Sequence, residues 1–440
     1  PVARCGSFEE SFLELPGEVL ITPMREHQRY FPVWDAQGKL LPRFIAVANG
    51  NEEHLDTIRT GNERVLRARL ADAVFFWKED LAVPLARRVE DLKKVVWQEN
   101  LGWLYDKVER LVGLSRYLAG VFHLAPQERE KVSRAAYLCK ADLVTTMVYE
   151  FPELQGVMGR EYALRGGEDP EVAWAIFEHY LPRFAGDALP ATMAGRILSL
   201  AEKMDNLVGC FAVGIEPTGS QDPYGLRRQA LGFCHIVLDG RLVFSWRELA
   251  EQAYEQYRRQ VKLDLPREAL LSRLAEFFAQ RLRGIFTERG FSYDTVEAVL
   301  AVGFDDMAGA LERLQALAAF REGEEFEAVH TAFTRAHNLS RRHGSTTVDY
   351  AALVHPAEVD LYRAIREVQG AVEEHLAQRR FLEALKAVAR LKEPVDSFFD
   401  AVMVMVEDEK TRNNRLGLLK AVATLVLNVA DLSKLVISQA

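Results

Sequence analysis

The sequence predicts a mostly α-helical chain of several domains, with a small α/β segment at its N-terminal end. Three observations carry that prediction. The chain has 440 residues, enough for roughly two to four domains with cores of their own. The convincing strand signals fall before residue 81. From there almost to the end, apolar residues recur at steps of three and four, the period of a buried helix face.

Three strands are expected in the first 80 residues. One is Val19 to Thr22; Tyr30 to Trp34 and Phe44 to Ala48 read as a hairpin around Asp35-Ala36-Gln37-Gly38. A helix should start near Gly61 and run past Leu70, with Leu66, Leu70 and Ala73 on one face and Val65, Arg69 and Asp72 on another. The next domain, 81–240, opens with Leu104, Val108, Leu111 and Leu118 at helical spacing. Asp222-Pro223 predicts a helix start: the carboxylate can accept first-turn amides, and proline has no amide to leave unpaired. Further helices are expected over 241–317, with a break near Gly303-Phe304-Asp305-Asp306. A charged segment, Arg321 to Glu327, precedes a last domain over 318–440. Leu418, Val422, Leu425, Val429, Leu432 and Val436 predict one long amphipathic helix at its end.

Hydrophobic content of 49% and charged content of 27% are those of an ordinary globular protein. No apolar run reaches the roughly 18 residues of a membrane span, so no membrane partner is expected. Cys5, Cys139, Cys210 and Cys234 form no C-x-x-C pair, which argues against zinc and fits a reducing, cytoplasmic setting. A net charge of -9 places any nucleic-acid contact on local basic patches.

Familiar catalytic motifs are absent. The chain has no Walker-type loop, no dinucleotide fingerprint after a strand, no nucleophile elbow and neither class I synthetase signature. Cys139 reads as a packed thiol rather than a nucleophile. Arg227 and Arg228 follow a helix start that could hold phosphate, or they could sit in ion pairs. Two basic clusters stand out. Arg335, His337, Arg341, Arg342 and His343, with Asn338 between them, form one; Lys410, Arg412, Asn413, Asn414 and Arg415 form the other. Arginine can grip phosphate or read a base edge, and asparagine can pair with a base. A run of charge on a solvated face is the bland alternative.

The segments Lys140 to Thr145, Glu150 to Gly156, Glu178-His179-Tyr180 and Pro217 to Pro223 are built like a helical metal phosphohydrolase domain of the His-Asp type. Asp142 and Asp205 stand where two aspartates are wanted, and His179 lies between them. The residue before Asp142 is Ala141, however, and no His-Asp dipeptide occurs in the chain. The pattern reads as a degenerate site without its metal. The alternative is that both aspartates cap helices or pair with Lys140, Lys203 or Arg196.

These segments, with Arg25 to Val33, Gly61 to Leu70, Pro394 to Val404, Arg412 to Leu416 and Ala430 to Ser433, resemble the beta subunit of bacterial glycyl-tRNA synthetase in order and over essentially the whole chain. The family chain is longer at its N-terminus, so this one is expected to be truncated there. The resemblance implies a His-Asp-type helical domain and a C-terminal helical anticodon-binding domain of the DALR type. It implies a tRNA-binding subunit in an assembly of two alpha and two beta subunits, with glycine tRNA as ligand. No catalytic residue or cofactor is expected in this chain; ATP and Mg2+ belong to the alpha subunit. The competing readings are a metal-dependent phosphohydrolase built on Asp142, His179 and Asp205, and a helical scaffold with no RNA contact.

Overall fold

A computed structural model describes residues 1–49 and 54–436. Its contacts divide the chain into two compact units, one of Pro1–Ile236 with Glu248–Ser272, the other of Val237–Arg247 with Arg273–Ala440. Helices fill most of both. Among the described residues, no helix is long and apolar enough to cross a membrane.

The first unit begins with a three-stranded antiparallel sheet. Leu40–Ala48 lies at its centre, between Val2–Ser7 and Phe31–Trp34. The hairpin around Asp35 is present, its turn held by Asp35 Oδ1 accepting from the Gln37 and Lys39 amides. The strand Val2–Ser7 went unrecognised because Ala, Arg, Cys and Gly carry little strand preference; the partner strand defines it. Gly6 pairs with Phe44, and a side chain at Gly6 would collide with the buried Phe44 ring. Val19 to Thr22 is not a strand but part of a helix, Gly17–Thr22. Val19 and Leu20 are neighbours in sequence and both fully buried, a pattern that alternation does not give but a helix allows.

The Leu55–Leu81 helix buries Leu66, Leu70 and Ala73 and leaves Val65 exposed, as the spacing predicts. Its buried Asp80 accepts the Thr146 and Met147 amides, the Tyr162 hydroxyl and an Arg88 guanidinium. Behind it lies a helical bundle that includes Leu104–Val121, Pro126–Leu138, Val157–Arg165, Pro170–Glu178 and Met193–Ala212.

In the second unit Trp246 is buried beside Phe278 and Phe304, at ring distances of 5.1 and 6.1 Å. The break near Gly303 is real: Asp306 caps the Met307–Arg321 helix through the Gly309 amide. The C-terminal bundle holds Phe326–Ser340, Pro356–Ala377, Phe381–Val388, Lys392–Ala401 and Glu409–Leu427. The last helix stops at Leu427, short of the expected Val436. Asp431 starts a separate 3-10 turn by accepting from Ser433, and the Asp431 amide donates to Ala298 O. Val429, ahead of this turn, and Leu432, within it, are buried, whereas Val436 is exposed.

Candidate functional site

The Met193–Ala212 helix carries charge through the middle of the first unit. Every residue from Ile197 to Ala212 is buried, including Glu202, Lys203, Asp205 and Asn206. Buried charges require partners. Asp205 Oδ1 accepts from Arg110 Nε at 2.7 Å, and Asp205 Oδ2 accepts from Lys107 Nζ at 2.7 Å and Tyr257 Oη at 3.1 Å. The Arg110 guanidinium also lies 3.8 Å from the centre of the Tyr257 ring. Burial alone would raise the Asp205 pKa, but Arg110 and Lys107 outweigh it and hold the carboxyl below its ordinary range. Asp205 therefore pairs with Lys107 and Arg110, not with Lys203, Lys140 or Arg196.

Glu202 lies beside Lys107 and Lys140 at 3.5 and 3.2 Å. Its burial is likewise outweighed by Lys107, Lys140 and His179, and the group stays ionised. Lys203 has no carboxylate partner among the described residues; Nζ donates to Leu181 O and Ser199 Oγ, both at 2.7 Å. Burial pulls its pKa down to about 7.

Asp142 forms no ion pair with a lysine but caps a helix, as one of the two sequence readings had it. Its Oδ2 accepts the Gly156 and Gly159 amides at 2.6 and 3.0 Å, fixing the turn into the Val157–Arg165 helix. Burial raises its pKa to about 6 despite those two amides. His179 is fully buried, with Nδ1 against Ile176 O and Nε2 2.8 Å from Lys140 Nζ. Burial first, then the Lys140 charge, push its pKa well below the ordinary value. The neutral ring thus donates from Nδ1 and accepts at Nε2.

A cavity of about 290 Å³ opens on this centre. Lys107, Lys140, Lys203, His179 and Glu202 line it, and so does Arg228. Two features that are far apart in sequence, the region of His179 and the Arg227-Arg228 pair, meet here through Arg228. The helix bearing that pair starts at Leu226, later than Asp222-Pro223 suggests, with Pro223 in the preceding turn. Asp222 accepts the Leu226 and Arg227 amides, so a carboxylate already occupies the helix start as an anion site.

A metal centre needs lone pairs free to converge on one point. Asp205 is saturated by two cations and a phenol, one oxygen of Asp142 serves two amides, and both His179 nitrogens are engaged. Among the described residues, no three His, Cys, Asp or Glu side chains gather as a metal set. These residues do not fit a metal-dependent phosphohydrolase. Cys139 is fully buried, and burial pushes its thiol up to about 12, the state of a packed thiol.

The basic residues of the C-terminal bundle differ in what they touch. Arg335 pairs with Asp396 at 3.1 Å and lies 4.2 Å from the Phe399 ring centre. Asn338 is exposed on the same helix, and Arg341 and Arg342 are exposed just past its end. Among the described residues, neither Arg341 nor Arg342 has an ion pair. Arg412 donates to Val406 O at 3.0 Å, which holds the preceding loop. Asn414 is buried and bonds both ways with the Asp349 backbone, at 2.7 and 3.0 Å. Arg415 pairs with buried Glu358 and donates to Met403 O at 2.8 Å. Asn414 and Arg415 thus brace loops from inside the bundle.

Sequence reasoning missed Lys107, Arg110, Glu202 and Tyr257 as members of one centre. The available signal was the run Glu202-Lys203-Met204-Asp205-Asn206 inside an otherwise apolar helix, which demands buried counter-charges from elsewhere.

A family model described as glycyl-tRNA synthetase beta subunit matches residues 1–301, and one described as DALR anticodon binding domain matches 329–435. Proteins named glycine--tRNA ligase beta subunit from Desulforamulus reducens, Moorella thermoacetica and Clostridioides difficile are 55%, 50% and 46% identical to this chain over 99% of its length. The chain spans 63% of the length of each of these relatives. The chain belongs to the glycyl-tRNA synthetase beta subunit family.

Proposed function

We propose that this chain is the tRNA-binding part of a glycine–tRNA ligase and makes no chemical bond itself. The observation that carries this reading is the anticodon-binding match over 329–435, which contains the exposed Arg341 and Arg342, neither with an ion pair among the described residues. Arg335, Asn338, Arg341, Arg342 and Arg412 present the RNA-facing groups, while Asn414 and Arg415 hold the loops that frame them. Catalysis falls to an alpha subunit, which binds glycine, ATP and Mg2+, in a cytoplasmic assembly of two alpha and two beta subunits. The saturated Asp205 supports a binding role for the central region, since its carboxylate is not free to act as a base.

Reconstitution tests the proposal. The chain alone should not attach glycine to tRNA, and it should shift glycine tRNA in a binding assay. Charging by the isolated chain would overturn the proposal.

A further inference from the structure

We infer that the cavity over the Lys107–Asp205 centre binds a ribonucleotide, its phosphate on Lys203 and Arg228 and its sugar or base edge on Glu202. Charge comes first. The lining side chains include five basic groups, Lys107, Lys140, Lys203, Arg183 and Arg228, against one carboxylate, Glu202. Lys107 is neutralised from behind by Asp205, and Arg183 by Asp187 at 2.9 Å. Lys203 and Arg228 have no ion pair among the described residues. They come from different helices, Met193–Ala212 and Leu226–Gly240, and both line the same cavity. An uncompensated guanidinium on Arg228, beside a Lys203 amine that an incoming anion would keep protonated, favours an anion held by charge-assisted hydrogen bonds.

The second observation excludes a bare phosphate as the whole ligand. Glu202 Oε2 is buried and has no protein partner, although Oε1 is shared by Lys107, Lys140 and Asn206. Trp97 Nε1 and Tyr180 Oη are also buried without a partner, and all three residues line the cavity. A carboxylate oxygen needs a donor, which phosphate at neutral pH supplies poorly and a ribose hydroxyl or base amine supplies well. Trp97 and Tyr180 offer donors to base or sugar oxygens and nitrogens. The volume of about 290 Å³ stands near the lower end for small-molecule pockets. Such a group can be a free nucleotide or the terminal nucleotide of an RNA strand, and the chemistry of recognition is the same.

Calorimetric titration of the full chain with AMP, dAMP and inorganic phosphate tests the assignment. AMP should bind with one site per chain, more tightly than either. Arg228→Ala should weaken AMP by about 10- to 100-fold, the effect of one lost charge-assisted hydrogen bond. Arg228 is exposed, so the melting temperature of that variant should not move. Glu202→Gln should erase the preference for AMP over dAMP. Competition of AMP with a short single-stranded RNA would assign the site to a strand end, and AMP binding without competition would assign it to a free nucleotide. No saturable AMP binding, equal affinity in Arg228→Ala, or phosphate binding as tight as AMP would overturn the inference. Because AMP is tested without tRNA, its result stands apart from that of the proposed tRNA role.

Discussion

Asp205→Asn offers a direct test of the buried ionic centre. Asp205, Lys107 and Arg110 are each fully buried, and the carboxylate takes both cations at 2.7 Å. The amide keeps the shape but removes the negative charge and turns a donor toward cationic donors. Removing one partner of a buried pair costs about 3–5 kcal/mol. Lys107 retains Asn206 at 2.6 Å and Glu202 at 3.5 Å, and Arg110 retains Gln260 at 2.6 Å. These residual partners place the expected loss at about 3 kcal/mol, the low end of that range. Urea unfolding followed by tryptophan fluorescence is the assay, since five of the six tryptophans lie in the first unit and only Trp246 in the second. Adding Arg110→Met should cost less than the sum of the single changes, with a coupling of about 1–3 kcal/mol. The sign with pH follows from the depressed folded pKa of Asp205: its contribution is complete above the ordinary value of 3.8 and is lost as pH falls through the lower folded value. The wild type and variant should therefore converge in acid. A loss below about 1 kcal/mol at neutral pH, or simple additivity, would refute the view that this centre holds the unit together.

Other substitutions separate the roles assigned above. Gly209→Ala places a methyl against the Tyr257 hydroxyl and should cost about 1–3 kcal/mol, read as a lower urea midpoint. Asp142 titrates in the opposite sense to Asp205. Its folded pKa of about 6 lies above the ordinary 3.8, so the wild type loses stability as pH rises between them, and Asp142→Asn should flatten the melting temperature over that window. Arg415→Ala strips a partner from buried Glu358 and should lower the stability of the second unit by about 2–3 kcal/mol, visible in thermal unfolding. Arg341→Ala should leave thermal unfolding within about 0.5 kcal/mol of wild type while weakening tRNA in a binding titration.

Periodicity made much of the fold legible. Leu66, Leu70 and Ala73, and then Leu104, Val108, Leu111 and Leu118, are buried as their spacing demands. The errors have local causes. Val19 to Thr22 is too short for period to distinguish strand from helix. The stripe after Leu425 continued in sequence, but Asp431 ends the helical geometry with a side-chain turn of its own. The ionic centre was harder to read. Asp142 and Asp205 were visible, but their partners are backbone amides 14 and 17 residues away and cations 95 and 98 residues away. Those pairings follow from tertiary packing, which single-residue chemistry does not encode. The basic clusters were legible as clusters. That Arg415 turns inward was decided by Glu358, a carboxylate on another helix.

The salt dependence of glycine tRNA binding to this chain tests the central claim most directly. Grip through exposed arginines predicts that log affinity falls linearly with log salt. Arg341→Ala with Arg342→Ala should then make the slope shallower by about one for each phosphate no longer neutralised. Affinity that ignores salt, or a slope the paired substitution leaves unchanged together with full affinity, would contradict it.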